Sequence, residues 1–149
     1  MRSSSHGSTR VKTETIHIES RTERLSIVRE FVSDAARRVG FSDEEVGKIA
    51  LAVDEACTNI IKHAYKFDPN QDIAVSVSTE DRLFVVRIRD HGRTFDPSGL
   101  QPPNMKEYLS HFRRGGLGVH LMRSLMDKVE YSIDPGTTNE VRLTKNLPQ

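Results

Sequence analysis

The chain has a single cysteine, Cys57, among 149 residues, so no intrachain disulfide can form. That fits a reducing cytosol better than an oxidising compartment, and a cytoplasmic location is expected. Excess charge of either sign is missing too, with 22 Lys and Arg against 21 Asp and Glu. A domain that grips nucleic acid or an anionic membrane would carry a basic surplus, so neither is expected as a direct partner. Long hydrophobic runs are absent, and none approaches the ~20 residues a membrane-spanning helix needs. The opening "MRSSSHGSTR" has no apolar centre, so residues 1–10 read as a disordered lead-in and not as a secretory signal. No internal repeat is found. What is present is 36% hydrophobic and 29% charged content, the composition of one soluble domain over residues 11–149 with enough chain to bury a core.

"VKTETIHIES" alternates and predicts a strand, with Val11, Thr13, Thr15 and His17 on one face and Lys12, Glu14, Ile16 and Ile18 on the other. Thr22 then serves as N-cap for a helix whose Leu25, Val28, Phe31, Val32, Ala35 and Val39 recur at helical spacing until Gly40 stops it. A second helix opens on the capping box "SDEE", Ser42 to Glu45. Its apolar stripe runs through Val46, Ile49, Ala50, Val53, Ala56, Cys57, Ile60 and Ala64. "DIAVSVSTE" and "RLFVVRIRD" predict a hairpin turning at Glu80–Asp81–Arg82. From Asp96 to Arg114 periodicity lapses around Pro97, Gly99, Pro102 and Pro103, as in a functional loop. A short helix, "GVHLMRSLMD", and two strands, "KVEYSID" and "EVRLTK", close the chain. Interspersed helices and antiparallel strands predict an α+β two-layer sandwich: a mixed, mostly antiparallel sheet covered on one face by about three helices.

Three groups of residues carry chemistry. Glu55 and Asn59 lie about 40° apart on a helical wheel, nearly opposite the apolar stripe. A carboxylate there can take a proton from a hydroxyl, and an amide oxygen can ligate Mg²⁺. The plain alternative is a solvated helix face, although Asn is a poor helix former. In "RDHGRTFDP", Asp90 ends a hydrophobic strand and Gly92 follows, so Asp90 can accept from a ligand amino group while Gly92 permits close approach. A simple turn fits that stretch equally well. In "FRRGGLGVHLM", Gly115, Gly116 and Gly118 enter a helix N-terminus, whose free N–H groups and dipole favour phosphate. The spacing matches neither a P-loop nor a dinucleotide-binding turn, and a bare glycine hinge is the alternative.

Together, "EACTNIIKHAY", "DHGRTFDP" and "GGLGVHLM" resemble the N, G1 and G2 boxes of the GHKL (Bergerat-fold) ATPases, in particular the bacterial anti-sigma-factor serine kinases. The resemblance implies that ATP and Mg²⁺ are the cofactors. It implies Glu55 as the base that activates a serine hydroxyl and Asn59 as the Mg²⁺ ligand. Asp90 would accept from the adenine amino group, with Gly92 and Phe95 at the base. Gly115, Gly116, Leu117 and Gly118 would shape the phosphate hinge, and Arg114, or else Arg113, would stabilise the transferring phosphoryl. His63 could reach the phosphate side or could be merely exposed. A threonine of the last strand is expected beside adenine, Thr144 or Thr138, although "GTTNEVRLTK" inserts Asn139 and Glu140 there. The implied partners are a sigma factor, a STAS-type anti-anti-sigma antagonist as phosphoacceptor, and a second copy of the chain through its first strand and helix. No phosphoacceptor helix, sensor segment or transducer domain is seen, which sets the chain apart from receptor kinases, chaperones and topoisomerases. An ATP-binding switch of the same fold without kinase activity is the competing expectation.

Overall fold

Alternating hydrophobicity and helical stripes assemble here into one antiparallel sheet with helices on one face. The computed structural model describes residues 12–92, 117–134 and 138–148. Strand β1 (Lys12–Glu19) leads through a 3₁₀ turn (Thr22–Arg24) into helix α1 (Leu25–Arg38), followed by helix α2 (Asp43–Asn59) and a π turn (Ile60–Ala64). The hairpin of β2 (Asp72–Glu80) and β3 (Leu83–Asp90) follows, then helix α3 (Leu117–Leu125), β4 (Lys128–Asp134) and β5 (Thr138–Asn146). The sheet order is β1-β2-β3-β5-β4. Every pairing is antiparallel, so the expected mixed sheet is simpler than anticipated.

Register fixes which residues meet the helices. Ile18, Ile73 and Asp90 share one transverse row, and Val75 and Ile88 continue the same face. On β5 that face carries Asn139, Val141 and Leu143, opposite Asp90, Ile88 and Val86. These aliphatics pack against Val28 and Val32 of α1, Ile49 and Val53 of α2 and Met122 of α3, all buried. Each fully buried aliphatic side chain contributes about 1.5–3 kcal/mol. Phe41 and Phe84 meet edge to face, their centroids 5.5 Å apart. The opposite face is polar, laced by the Arg87–Glu80 and Arg89–Glu140 ion pairs, each 2.8 Å. No helix among the described residues is long and apolar enough to cross a membrane.

Helix ends differ from expectation in three places. Thr22 opens the 3₁₀ turn and caps nothing; the residue before α1 is Arg24, with no side-chain cap. The capping box is half realised. Ser42 Oγ accepts from the Glu45 N–H at 3.2 Å, but the Glu45 carboxylate turns to Lys145 of β5 at 2.9 Å. Lys145 also donates to the Leu125 carbonyl at 3.1 Å, so one ammonium ties the start of α2 to the end of α3. Finally, α-helical geometry stops at Asn59, and the π turn carries the chain on to Ala64, closed by Tyr65 N–H donating to Ile60 C=O at 2.9 Å. Such turns often mark functional positions. Gly40, with φ +100°, ends the α1 segment as anticipated.

Candidate functional site

α2 is the central helix, with α1, α3 and the sheet all packed on it. A wider arc than one stripe is therefore covered, and Ala52 is fully buried alongside Val53 and Ala56. This corrects the placement of Asn59. It is 8% exposed and thus buried, not on a wet face, and its Nδ2 has no partner among the described residues. Glu55, one turn earlier, is half-buried, and its carboxylate makes no hydrogen bond or ion pair among the described residues. The helix thus presents a carboxylate and an amide side by side, neither committed to another described residue. His63 lies one turn beyond Asn59, half-exposed within the π turn.

The end of the π turn meets the exit of β3. Asp90 is fully buried, and its Oδ1 accepts from Gly92 N–H at 2.8 Å and from Asn139 Nδ2 at 3.0 Å. These bonds offset the cost of taking a carboxylate out of water. Gly92 is needed for packing against the protein itself. A Cβ there would fall 2.9 Å from Asp90 Oδ1 and 3.0 Å from Ala64 Cβ. Close packing on Ala64 is thus a reason for glycine here in addition to the close ligand approach expected from the sequence.

Tyr65 fastens this corner. Its hydroxyl donates to the Asp72 carbonyl and accepts from the His91 N–H, each at 2.6 Å. Three segments therefore share one oxygen: the end of the α2 region, the start of β2 and the exit of β3. Burial pushes the phenol up to about 12. Lys66 and Phe67, at φ 49° and 65°, then turn the chain sharply through the left-handed region, a conformation costly for non-glycine residues.

The direction of α3 follows from Lys145. α3 ends beside the start of α2, so its N-terminus lies towards the end of the sheet that holds Asn59 and Asp90. Leu117 and Gly118 are its first two residues, and the N-terminal N–H groups of a helix favour anions. Phe95, Arg113, Arg114, Gly115 and Gly116 lie outside the described residues.

Thr144 is not brought to the site. It pairs with Val85, whose side chain lies on the face away from the helices, whereas Asp90 faces them. Strand alternation puts Thr138 on that outer face as well. The residue beside Asp90 is Asn139, missed because it was counted as an insertion. Its signal was present: Asn139, Val141 and Leu143 alternate in phase, which marks Asn139 as facing the core.

This arrangement groups an acid-lined corner, an amide and a carboxylate on the adjoining helix, and a helix N-terminus. Residues 18–145 match the histidine kinase-like ATPase domain. The chain belongs to that family. A serine-protein kinase RsbW of Bacillus licheniformis is 37% identical over 133 residues, covering 86% of this chain and 81% of its own. The Bacillus subtilis (strain 168) RsbW is 36% identical over 135 residues, covering 87% and 82%. In fold, the chain is similar to a crystal structure of the RsbU and RsbW domains of a Mycobacterium tuberculosis protein, with a TM-score of 0.63 at 16% identity. That match covers 91% of this chain and 32% of the longer one, and it bears on the fold alone. The histidine kinase-like ATPase domain here is a kinase domain that uses ATP.

Proposed function

We propose that this chain is an anti-sigma factor and ATP-dependent protein serine kinase. It sequesters a sigma factor and phosphorylates a serine on a STAS-type anti-anti-sigma antagonist, so that the antagonist cannot release the sigma factor. The observation that carries the kinase reading is Glu55, a half-buried carboxylate without a partner among the described residues, one turn from Asn59. A site that only binds nucleotide needs Asn59 and Asp90 but no base.

In this reading adenine lies at the Asp90 corner and donates its amino group to that carboxylate. The phosphates run along α2 towards the N-terminus of α3, where Leu117 and Gly118 offer N–H groups. Gly115, Gly116 and Arg114 belong to the same phosphate end, and Phe95 to the base. The substrate serine approaches Glu55, which takes the hydroxyl proton as the serine oxygen bonds to the γ-phosphorus and ADP leaves. His63 stands near the phosphates.

The donor set fits Mg²⁺ held mainly by the nucleotide. No group of three or more His, Cys, Asp or Glu suited to a metal occurs among the described residues. Asn59 alone, with its Nδ2 buried, would offer an amide oxygen, as suits an ion that keeps waters and phosphates as its other ligands. When bound, the ion would neutralise charge on the phosphates. Homodimerisation through β1 and α1 is supported by β1's place at the sheet edge. A cytoplasmic location and a role in stress-responsive transcription belong to the same proposal.

Glu55→Gln tests it. ATP affinity should stay within about twofold, while serine phosphorylation falls by roughly 10²–10⁴-fold, the usual worth of a general base. Transfer at the wild-type rate would remove Glu55 from the base role. Asn59→Ala should abolish Mg²⁺-dependent ATP binding, and unchanged affinity would overturn the metal assignment. The alternative, a nucleotide-dependent switch without transfer, predicts no phosphoserine on any candidate antagonist incubated with the wild-type protein and Mg-ATP.

A further inference from the structure

The turn that ends the α2 region, Lys62 to Phe67, collects three features that cost stability and gain no packing. Lys66 and Phe67 take left-handed backbone, φ 49° and 65°, where a bulky aromatic residue is an outlier. Phe67 is also 62% exposed, so its ring lies in water and not against the core. Its N–H donates to the Ile61 carbonyl at 2.8 Å, which holds that backbone in place. Lys62 and Lys66 are exposed, and neither pairs with a carboxylate among the described residues. By contrast Arg29, Arg38 and Arg89 pair with Asp54, Glu14 and Glu140. Like charges close together on one turn repel. One exposed apolar residue or one free lysine is ordinary. Their coincidence with backbone strain in a single turn is not, and local conflicts of this kind persist where function retains them.

We infer that Lys62, Lys66 and Phe67 form a docking surface for the protein whose serine is phosphorylated. The two cations fit an acidic patch on that partner, and the ring fits an apolar notch beside it. This rests on the reading of Glu55 as the base. Spacing names the occupant. Lys62 follows Glu55 by seven residues, close to two helical turns and about 10 Å along the axis. A folded partner covers about 800 Å² on each side, a patch roughly 30 Å across. A protein that delivers a serine to Glu55 therefore reaches this turn within the same contact. Cations at its rim would speed encounter, and a buried ring would hold the complex. A second copy of the chain fits less well, because a two-fold contact here would set the cationic turn against itself.

The probe is the antagonist that the wild-type chain phosphorylates. Calorimetry with the ATP-loaded full chain carrying Glu55→Gln reads its binding without turnover, and phosphorylation assays give KM and kcat on the otherwise wild-type background. Phe67→Asn removes the ring while suiting left-handed backbone. It should weaken antagonist binding and raise the KM for antagonist by about tenfold, with kcat and ATP affinity unchanged and the melting temperature equal or higher. Lys62→Gln with Lys66→Gln should raise that KM severalfold and flatten its rise with salt. An unchanged KM in both variants would overturn the inference. So would a lower melting temperature with equal losses for antagonist and ATP, the mark of a purely structural turn. Weakened sigma-factor binding beside normal antagonist binding would overturn it too, since the turn would then serve the other partner. If the wild-type chain phosphorylates no antagonist, the kinase reading and this surface fall together. If it phosphorylates one that Phe67→Asn binds as tightly as before, only the surface falls.

Discussion

Removing one oxygen atom, by Tyr65→Phe, should cost both stability and nucleotide affinity. The Tyr65 hydroxyl makes two short hydrogen bonds, to the Asp72 carbonyl and from the His91 N–H, each 2.6 Å. Tyr65 is 5% exposed, so water cannot readily replace the lost oxygen. At about 0.5–1.5 kcal/mol net per bond, the loss is about 1–3 kcal/mol. For a domain of this size each kcal/mol lowers the melting temperature by roughly 2–4 °C, so a fall of roughly 4–8 °C is expected near the middle of that range. Because His91 lies between Asp90 and Gly92, slackening it should also weaken ATP binding. The pH dependence supplies a second signature. The folded phenol is pushed up to about 12, above its unfolded value of ~10. Its contribution is therefore full below ~pH 10 and is lost as pH rises through about 12. The stability gap between wild type and Tyr65→Phe should narrow across that window. Urea unfolding at pH 8 and pH 11, with calorimetric ATP titration, reads all three effects. Equal midpoints at pH 8 and equal ATP affinity would refute the claim that this hydroxyl fastens the corner.

Gly92→Ala would place a methyl 2.9 Å from Asp90 Oδ1 and 3.1 Å from the Ala64 carbonyl oxygen, so a loss of about 1–3 kcal/mol and at least tenfold weaker ATP binding are expected. Gly47→Ala is the matched control: nothing lies within 4 Å, and a mid-helix alanine should stabilise by about 0.5–1 kcal/mol. Thermal melts in which both variants behave alike would contradict the packing argument. The Lys145 ammonium beside Glu45 holds its carboxyl below the usual carboxylate range. That stability is present at neutral pH and lost as pH falls through the lowered value, so Glu45→Gln should cost about 0.5–1 kcal/mol at pH 7, and the cost should shrink progressively as the medium is acidified. Urea midpoints across an acid titration check it, and a gap that does not narrow at all towards acid pH would count against the ion pair.

Element order was legible because local signals agreed. Strand alternation, the Gly40 stop and the turn at Asp81, with φ 56°, each came from short-range chemistry that tertiary contacts did not override. The helical pair Glu55–Asn59 and the Asp90–Gly92 exit were visible for the same reason, since residue type and spacing were unusual for their setting. Thr22, by contrast, is a good cap that does not cap, because the chain enters α1 through a 3₁₀ turn. Glu45 could not be assigned either, since its partner is Lys145, a hundred positions away in sequence. Tyr65 was within sight in "HAY", but nothing local shows that its hydroxyl bridges Asp72 and His91.

By itself the sequence determined the inventory: which segments are helix or strand, and which side chains are chemically odd for their place. Periodicity and propensity act over a few residues and need no partner. Only the tertiary structure decided burial and facing. Asn59 is buried because three elements crowd one helix, and Thr144 is excluded because β5 pairs with β3 in a register that turns Asn139 towards Asp90. Shifting that register by one residue would exchange the two faces, and strand pairing across the sheet is what prevents it.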